Sequence, residues 1–408
     1  MPEDEPKLDA VAVAIAYYNQ PLRERCFKKL CKQFGLPDTD ASSNRLARLV
    51  RDLEERGLIR HEVLRENAEF LPRNPRLEDE LRYKFDLRQA VVMDISSLGL
   101  PKSPPHEHLD HWARYDDEIH DRLGAWGGRL LTSCIRSGDT IATGGGRGPH
   151  FTVAKSNIST GQRYSGNILP LTGQITARAW NHSTAGSHSQ MHLDADHVAS
   201  QLYSKLGTRG RLGLLHRPIT ELRHAPRTEQ VDVAIFGIGA LGGGHRFKHF
   251  QNLEDVRSVH GLLQDINTLA EGIERKAVRQ GVPFYHPVGD VCNYYFLVEG
   301  EDGERLGKDW QALEGKIRQL NKAFKSATPE SLGRIAREGM VLAVAGGPHK
   351  AFTIRHVLRN SREGTWITHL VTDQTTAQWI LEKENDSGNG GGTAKQGAPT
   401  AGSKTLKP

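Results

Sequence analysis

The feature that most constrains this chain is a strand-like run that breaks into glycines and resumes as a helix. It spans Ser137-Gly138-Asp139-Thr140-Ile141-Ala142-Thr143-Gly144-Gly145-Gly146-Arg147-Gly148-Pro149-His150. Leu130, Leu131 and Ile135 lead into it, and Thr140 to Thr143 reads as a short buried strand. After Pro149, the residues Phe151, Val153, Ala154 and Ile158 look like the start of a helix. A strand, a glycine turn and a helix N-terminus together make an anion cradle. Glycines let backbone N–H groups approach a phosphate, and the helix end supplies partial positive charge. Arg147 can add a bidentate contact. The competing reading is a surface loop whose glycines only turn the chain.

The alternation continues beyond this stretch. A charged amphipathic helix over Leu77–Phe85 leads into a buried strand, Gln89–Asp94; Pro101–Pro105 makes a loop and Leu109–Trp126 a helix. Strands are expected at Asn167–Leu171, Arg211–Leu215, Val231–Phe236, Gly339–Gly347 and Thr368–Asp373. Helices are expected at His197–Leu206, Lys350–Leu358 and Thr375–Glu382, and the long stretch Phe247–Gln280 reads as polar and helical. This pattern predicts a doubly wound α/β domain, a mostly parallel sheet with helices on both faces. Ligands of such sheets bind beyond the C-terminal ends of the strands, where these glycine-rich turns collect. With 408 residues, more than one core is expected. The divisions read as residues 1–66, a linker at 67–76, the α/β domain at 77–384 and a Gly-, Ala- and Ser-rich tail at 385–408, expected to be disordered.

The first 66 residues differ in character. Helices are expected at Val11–Tyr18, Leu22–Phe34 and Asn44–Arg56, followed by a strand at Leu58–Val63. Three short helices and a strand resemble a winged helix-turn-helix module. The outer face of the third helix carries Arg45, Arg48 and Arg51, with Ser42, Ser43 and Asn44 at its start, residue types suited to base edges and phosphates. Arg25 and Lys28 join this basic set. Between Arg23 and Arg51, basic residues exceed acidic ones by five, which equals the formal charge of the whole chain, +5. Such clustering is the electrostatic footprint of DNA binding, against the alternative of a solvated face on a protein-binding module.

Other motifs carry less. Gly237-Ile238-Gly239-Ala240-Leu241-Gly242 stands after a strand as a dinucleotide fingerprint does, but no second strand leads to Asp255. A turn at Gly237 and Gly239 that brings backbone close to a shared ligand fits better. Asp290 comes after Tyr285-His286-Pro287-Val288-Gly289 and can accept from sugar hydroxyls, or simply cap a turn. Lys350, after Gly346-Gly347-Pro348-His349, stands at a helix start where it can meet an anion or be solvated. Gln174 ends a strand on the same rim. His182, His188, His192 and His197 do not complete a metal set, so no metal and no cofactor is expected. Cys26, Cys31, Cys134 and Cys292 have no paired spacing and read as buried, reduced thiols of a cytoplasmic protein. No signal peptide or membrane-length apolar run is present, so no membrane partner is expected.

Taken in order, these motifs resemble the SorC family of bacterial transcriptional regulators, from about Ala10 to Leu381. The resemblance rests on Leu77-Glu78-Asp79-Glu80-Leu81-Arg82 with Gln89-Ala90-Val91-Val92, on Gly138-Asp139-Thr140-Ile141 with the glycine turn, and on Leu171-Thr172-Gly173. It continues through Asp232-Val233-Ala234-Ile235-Phe236-Gly237-Ile238-Gly239, Val288-Gly289-Asp290-Val291-Cys292, Ala343 to Ala351 and Leu370-Val371-Thr372-Asp373. It implies a DNA-binding domain joined to an effector domain of the sugar-phosphate isomerase and CoA-transferase type, without catalysis. It also implies a phosphorylated sugar as effector, operator DNA as partner, and a homodimer or homotetramer. By this resemblance Thr143, Gly144, Gly145, Gly146, Arg147, Gly148 and Lys350 hold the phosphate, Asp290 and Gln174 contact the sugar, and Arg48 lies in the recognition helix. The family often has Thr where this chain has Gly148. The alternative on the same fold is an isomerase or CoA-transferase-like enzyme, for which Asp290 with Lys350 is the candidate acid–base set.

Overall fold

Three apolar stripes within the first 55 residues bury themselves against one another. The computed structural model describes residues 9–18, 26–55, 72–95, 109–158, 164–174, 194–207, 210–215, 219–241, 258–280, 285–298, 307–364 and 366–389. In its first part, α1 (Ala10–Tyr18), α2 (Phe27–Gln33) and α3 (Asp40–Glu55) enclose Val13, Leu30, Cys31, Leu46, Val50 and Leu53. Leu46, Val50 and Leu53 recur at helical spacing, so one stripe of α3 supplies its share of this core. α3 begins at Asp40, earlier than the sequence suggested, because Thr39 caps it: Ser42 N donates to Thr39 Oγ1 at 3.2 Å. The connection from α2 is correspondingly shorter than a helix starting at Asn44 would leave. The expected strand Leu58–Val63 lies outside the described residues.

The larger part runs α4 (Pro75–Phe85), β1 (Gln89–Met93), α5 (Leu109–Cys134), β2 (Ile141–Thr143), α6 (Arg147–Lys155), β3 (Ile168–Pro170) and α7 (Ala195–Leu206). It continues through β4 (Val233–Phe236), β5 (Ile238–Leu241), α8 (His260–Arg279), β6 (Val288–Val291), β7 (Tyr294–Leu297), α9 (Gly307–Ala323) and α10 (Pro329–Glu338). The last elements are β8 (Met340–Val344), a 3-10 turn (Pro348–Lys350), α11 (Ala351–Gly364), β9 (His369–Asp373) and α12 (Gln374–Asn389).

Six strands form a parallel sheet in the order β1-β9-β8-β4-β2-β3. Because side chains alternate along a strand, each strand serves two cores. Ala90, Val92, Ala234 and Val341 join α4, α10, α11 and α12 on one face. Val91, Met93, Val233 and Leu342 join α5, α6 and α7 on the other. The sheet is doubly wound, as the alternation predicts. β2 is followed by α6 on one face, whereas the chain after β4 passes to the opposite face before reaching β8. The neighbours β2 and β4 therefore flank a topological switch point, where the loops diverge and leave a crevice.

The structure corrects several sequence expectations. The linker ends earlier: Asn74 N donates to Val92 O at 2.8 Å, Arg73 bridges to Met93, and α4 starts at Pro75. Arg211–Leu215 is not a full strand but a single bridge from Leu212 to Ile168. The tail does not begin at 385, since α12 continues to Asn389. α9 and α10 were not anticipated, and neither was the three-stranded antiparallel sheet β5-β6-β7. Cys31 and Cys292 are buried as expected, but Cys26 is exposed. No helix among the described residues is long and apolar enough to cross a membrane, and no three metal-ligating side chains among them cluster.

Candidate functional site

The switch-point crevice is framed by the glycine turn after β2. Gly144 N donates to Ile235 O at 2.7 Å, which stitches the turn to β4. Gly146 then takes φ 108°, a conformation that L side chains rarely adopt, and becomes the N-cap of α6. With no side chain on that cap, the first turn of α6 keeps its partial positive charge. Arg147 and Gly148 are therefore helical residues, not part of the turn as the sequence suggested. Gly148 is buried where α6 meets β8: a Cβ there would overlap Val344 O and lie 3.2 Å from Val344 C. That contact is the physical reason for glycine at this position. Gly145, Gly146 and Arg147 are half-buried, so the turn stays accessible.

β4 and β5 are separated by Gly237 alone, so the chain leaves the large sheet and enters the small one at the rim. Gly239 is a paired residue of β5, opposite Asp290 of β6, rather than part of a turn. A dinucleotide site needs a helix at this point, whereas Gly237 leads directly into a strand. The β6–β7 hairpin turns at Cys292 and Asn293, both left-handed at φ 52° and 62°. Paired left-handed residues give the turn whose twist matches a hairpin. Its tip meets the glycine turn, since a Cβ on Gly144 would lie 2.9 Å from Phe236 Cβ and 3.2 Å from Cys292 Sγ. Asn293 Nδ2 donates to Thr172 Oγ1 at 3.2 Å, which ties the hairpin to the residues after β3.

Three expected ligand-contacting side chains have protein partners. Thr143 is fully buried and its hydroxyl donates to Ala195 O at 3.3 Å, which orders the strand end. Gln174 Nε2 donates to Asp196 Oδ2 at 2.8 Å, and Asp196 Oδ1 accepts from Leu215 N. Asp290 is 4% exposed and accepts from Asn293 N at 3.4 Å. Burial, aided by the Asp290 carboxylate, pushes the Cys292 thiol well above its ordinary pKa, which keeps it protonated and a poor nucleophile.

The rim also includes the turn after β8. Gly347 N donates to Asp373 Oδ2 at 2.6 Å, and Thr376 N donates to Asp373 Oδ1 at 2.9 Å. Asp373 is fully buried, and it both caps α12 and clamps the Gly346–Gly347 turn. Lys350 comes next in the 3-10 turn, half-buried, with Nζ 3.2 Å from His120 Nε2 on α5. Sequence reasoning missed both Asp373 and His120 as site residues. Asp373 had a legible signal, an Asp ending a strand with Thr376 three residues on; His120 had none.

In the N-terminal module, Asn44 and Arg48 lie one helical turn apart and are exposed, and Lys28 of α2 is exposed too. Arg45 is half-buried. Ser43 does not belong to that outer face: its Oγ lies 3.6 Å from Cys31 Sγ, against α2. Ser42 Oγ pairs with Thr39 Oγ1 at 3.0 Å and belongs to the cap. Arg25 and the side chain of Arg51 lie outside the described residues.

This architecture is similar to that of known structures. The chain is 19% identical to the full-length sorbitol operon regulator SorC of Klebsiella pneumoniae, with a TM-score of 0.50 over 91% of this chain and 97% of that one. The fold is that of the SorC regulators. A sugar-binding domain of a Vibrio fischeri transcriptional repressor is 18% identical with a TM-score of 0.46, over 76% of this chain and 100% of that one. A probable sor operon regulator of Shigella flexneri is 17% identical with a TM-score of 0.45, over 75% and 98%. No family model matches the sequence, and no curated protein does. At these identities the SorC likeness is one of architecture, and function has to be argued from the site itself.

Proposed function

We propose that this chain is a DNA-binding transcriptional regulator whose operator affinity is set by a small sugar phosphate held at the β2/β4 switch point. The observation that carries the reading is the meeting there of three features. These are the Gly144–Gly146 turn leading into an uncapped α6, the Cys292–Asn293 hairpin tip against Gly144, and the end of β8 at Val344 against Gly148, from which the chain continues into the Lys350 turn. The α6 N-terminus and Lys350 supply positive potential for a phosphate. On the hairpin side the half-buried Asn293 amide suits hydroxyls, and the buried Asp290 accepts from Asn293 N and orders the hairpin tip beneath it. Gly145, Gly146 and Arg147 are the accessible phosphate contacts, while Thr143, Gly148 and Gln174 shape the crevice without facing the ligand.

Asn44 and Arg48 on the exposed face of α3 are the base-reading candidates, and Lys28 supplies a phosphate contact. The effector acts by population shift: it changes DNA affinity only to the extent that it binds one arrangement of a homodimer or homotetramer better than another. The protein works in the cytoplasm, where operator and phosphosugar meet. The test has two parts. A DNA fragment from upstream of its own coding region should shift in a gel with the purified protein, and one member of a sugar-phosphate panel should alter that shift and raise the melting temperature. Absence of DNA binding at low salt, where phosphate contacts are strongest, refutes the regulator reading.

A further inference from the structure

α5 carries a buried histidine to the rim of the crevice. His120 is 2% exposed, and its Nε2 stands 3.2 Å from Lys350 Nζ. A lysine ammonium only donates, so the imidazole accepts through Nε2 and carries its proton on Nδ1 as the neutral form. One turn further along α5, Leu123 packs on Gly346: a Cβ there would lie 2.7 Å from Leu123 Cδ1 and 2.5 Å from Asp373 Oδ2. Asp373 holds the same turn from the β9 side through Gly347 N. The backbone that bears Lys350 is thus gripped between α5 and β9, and His120 then grips the side-chain end.

We propose that His120 is a positioning residue of the site, holding Lys350 Nζ in place to receive a phosphomonoester. The proposal rests on the reading of this rim as a sugar-phosphate site. An untethered lysine stem spreads over many rotamers and loses that freedom when its ammonium binds an anion; a buried acceptor removes the loss beforehand. Imidazole is also a fitting partner. A neutral ring orients the ammonium without itself cancelling its charge. The consequence is selectivity. The His120–Lys350 contact bears on the phosphorylated end of the effector and not on its hydroxyls.

The test compares full-length wild type with His120→Gln, which keeps an acceptor oxygen, His120→Leu, which removes it, and Lys350→Met. Each is titrated by thermal shift with inorganic phosphate and with pentose and hexose phosphates beside their unphosphorylated parents. His120→Leu should weaken the phosphorylated probes about tenfold, the scale of one hydrogen bond to a charged group. His120→Gln should stay within about threefold of wild type, and neither should change the response to the parent sugars. Wild-type affinity in His120→Leu, or an equal loss in His120→Gln, overturns the positioning role. A second readout needs no ligand: trace acetylation of Lys350, measured by mass spectrometry, should quicken in His120→Leu but not in His120→Gln. If no phosphorylated probe binds wild type while the acetylation pattern holds, the sugar-phosphate reading fails and the role of His120 in holding Lys350 stands. Unchanged acetylation in His120→Leu refutes that role as well.

Discussion

Replacing Gly148 by alanine isolates the contact that aims α6 at the crevice. The added Cβ would overlap the carbonyl oxygen of Val344 and sit 3.2 Å from its carbon. Both obstacles are backbone of a central strand, and neither can rotate away. Either the N-terminus of α6 backs off β8 or the strand end bends, and overpacking of this kind costs about 1–3 kcal/mol. Alanine at a helical position returns about 1 kcal/mol of backbone preference. With rigid backbone as the obstacle the clash lies near the top of its range, leaving a net loss of about 2 kcal/mol, on the order of 5 °C in a domain of this size. Gly237→Ala is the control. Its Cβ would meet Pro149 Cδ at 3.5 Å and Val344 O at 3.7 Å, ordinary contacts in the same crevice. It should be neutral, or slightly stabilising through the unfolded state. Urea denaturation of both variants, monitored by circular dichroism, decides the matter. Sugar-phosphate affinity should fall in Gly148→Ala as the helix end withdraws. Equal stability of the two variants would refute the close-approach argument.

Three further outcomes are expected. Arg48→Ala removes an exposed side chain of α3, so its melting temperature should not change while operator affinity, read by fluorescence anisotropy, falls about tenfold to a hundredfold. Lys350→Ala should bind operator DNA as wild type does and lose the response to a phosphorylated effector in the same assay. His356 is stacked on Phe296 at 5.1 Å, and burial, reinforced by Arg359, lowers its pKa to about 4. The unfolded chain takes up that proton near pH 6.5 and the folded one does not, so the stabilising difference is complete above 6.5 and is lost as pH falls toward 4. The loss between pH 7 and pH 5 is about 2 kcal/mol. His356→Phe, which retains the stack, should remove about that much of the stability lost between pH 7 and pH 5, measured by urea denaturation, while buried His369, also lowered to about 4, keeps its own share.

Architecture was legible because apolar periodicity writes it directly. The alternation of Val91 and Met93 with Ala90 and Val92 already demands a strand buried on both faces, and Leu46, Val50 and Leu53 demand a helix with one inward stripe. The antiparallel β5-β6-β7 sheet was not legible, because Gly237-Ile238-Gly239 reads as a glycine turn until its pairing with Val291 and Asp290 is known. Nor were the protein partners of Thr143 and Gln174 legible. A polar residue at a strand end has the same local pattern whether it faces a ligand or satisfies Ala195 O or Asp196.

The sequence by itself determined which segments alternate, where glycine interrupts them and where positive charge gathers, because spacing and composition are properties of neighbours along the chain. The tertiary structure alone decided that β2 and β4 lie side by side, that Gly148 abuts Val344, and that His120 meets Lys350 from 230 positions away. Those relations depend on the order of strands in the sheet, and strand order arises from the packing of both faces at once rather than from any local run of residues.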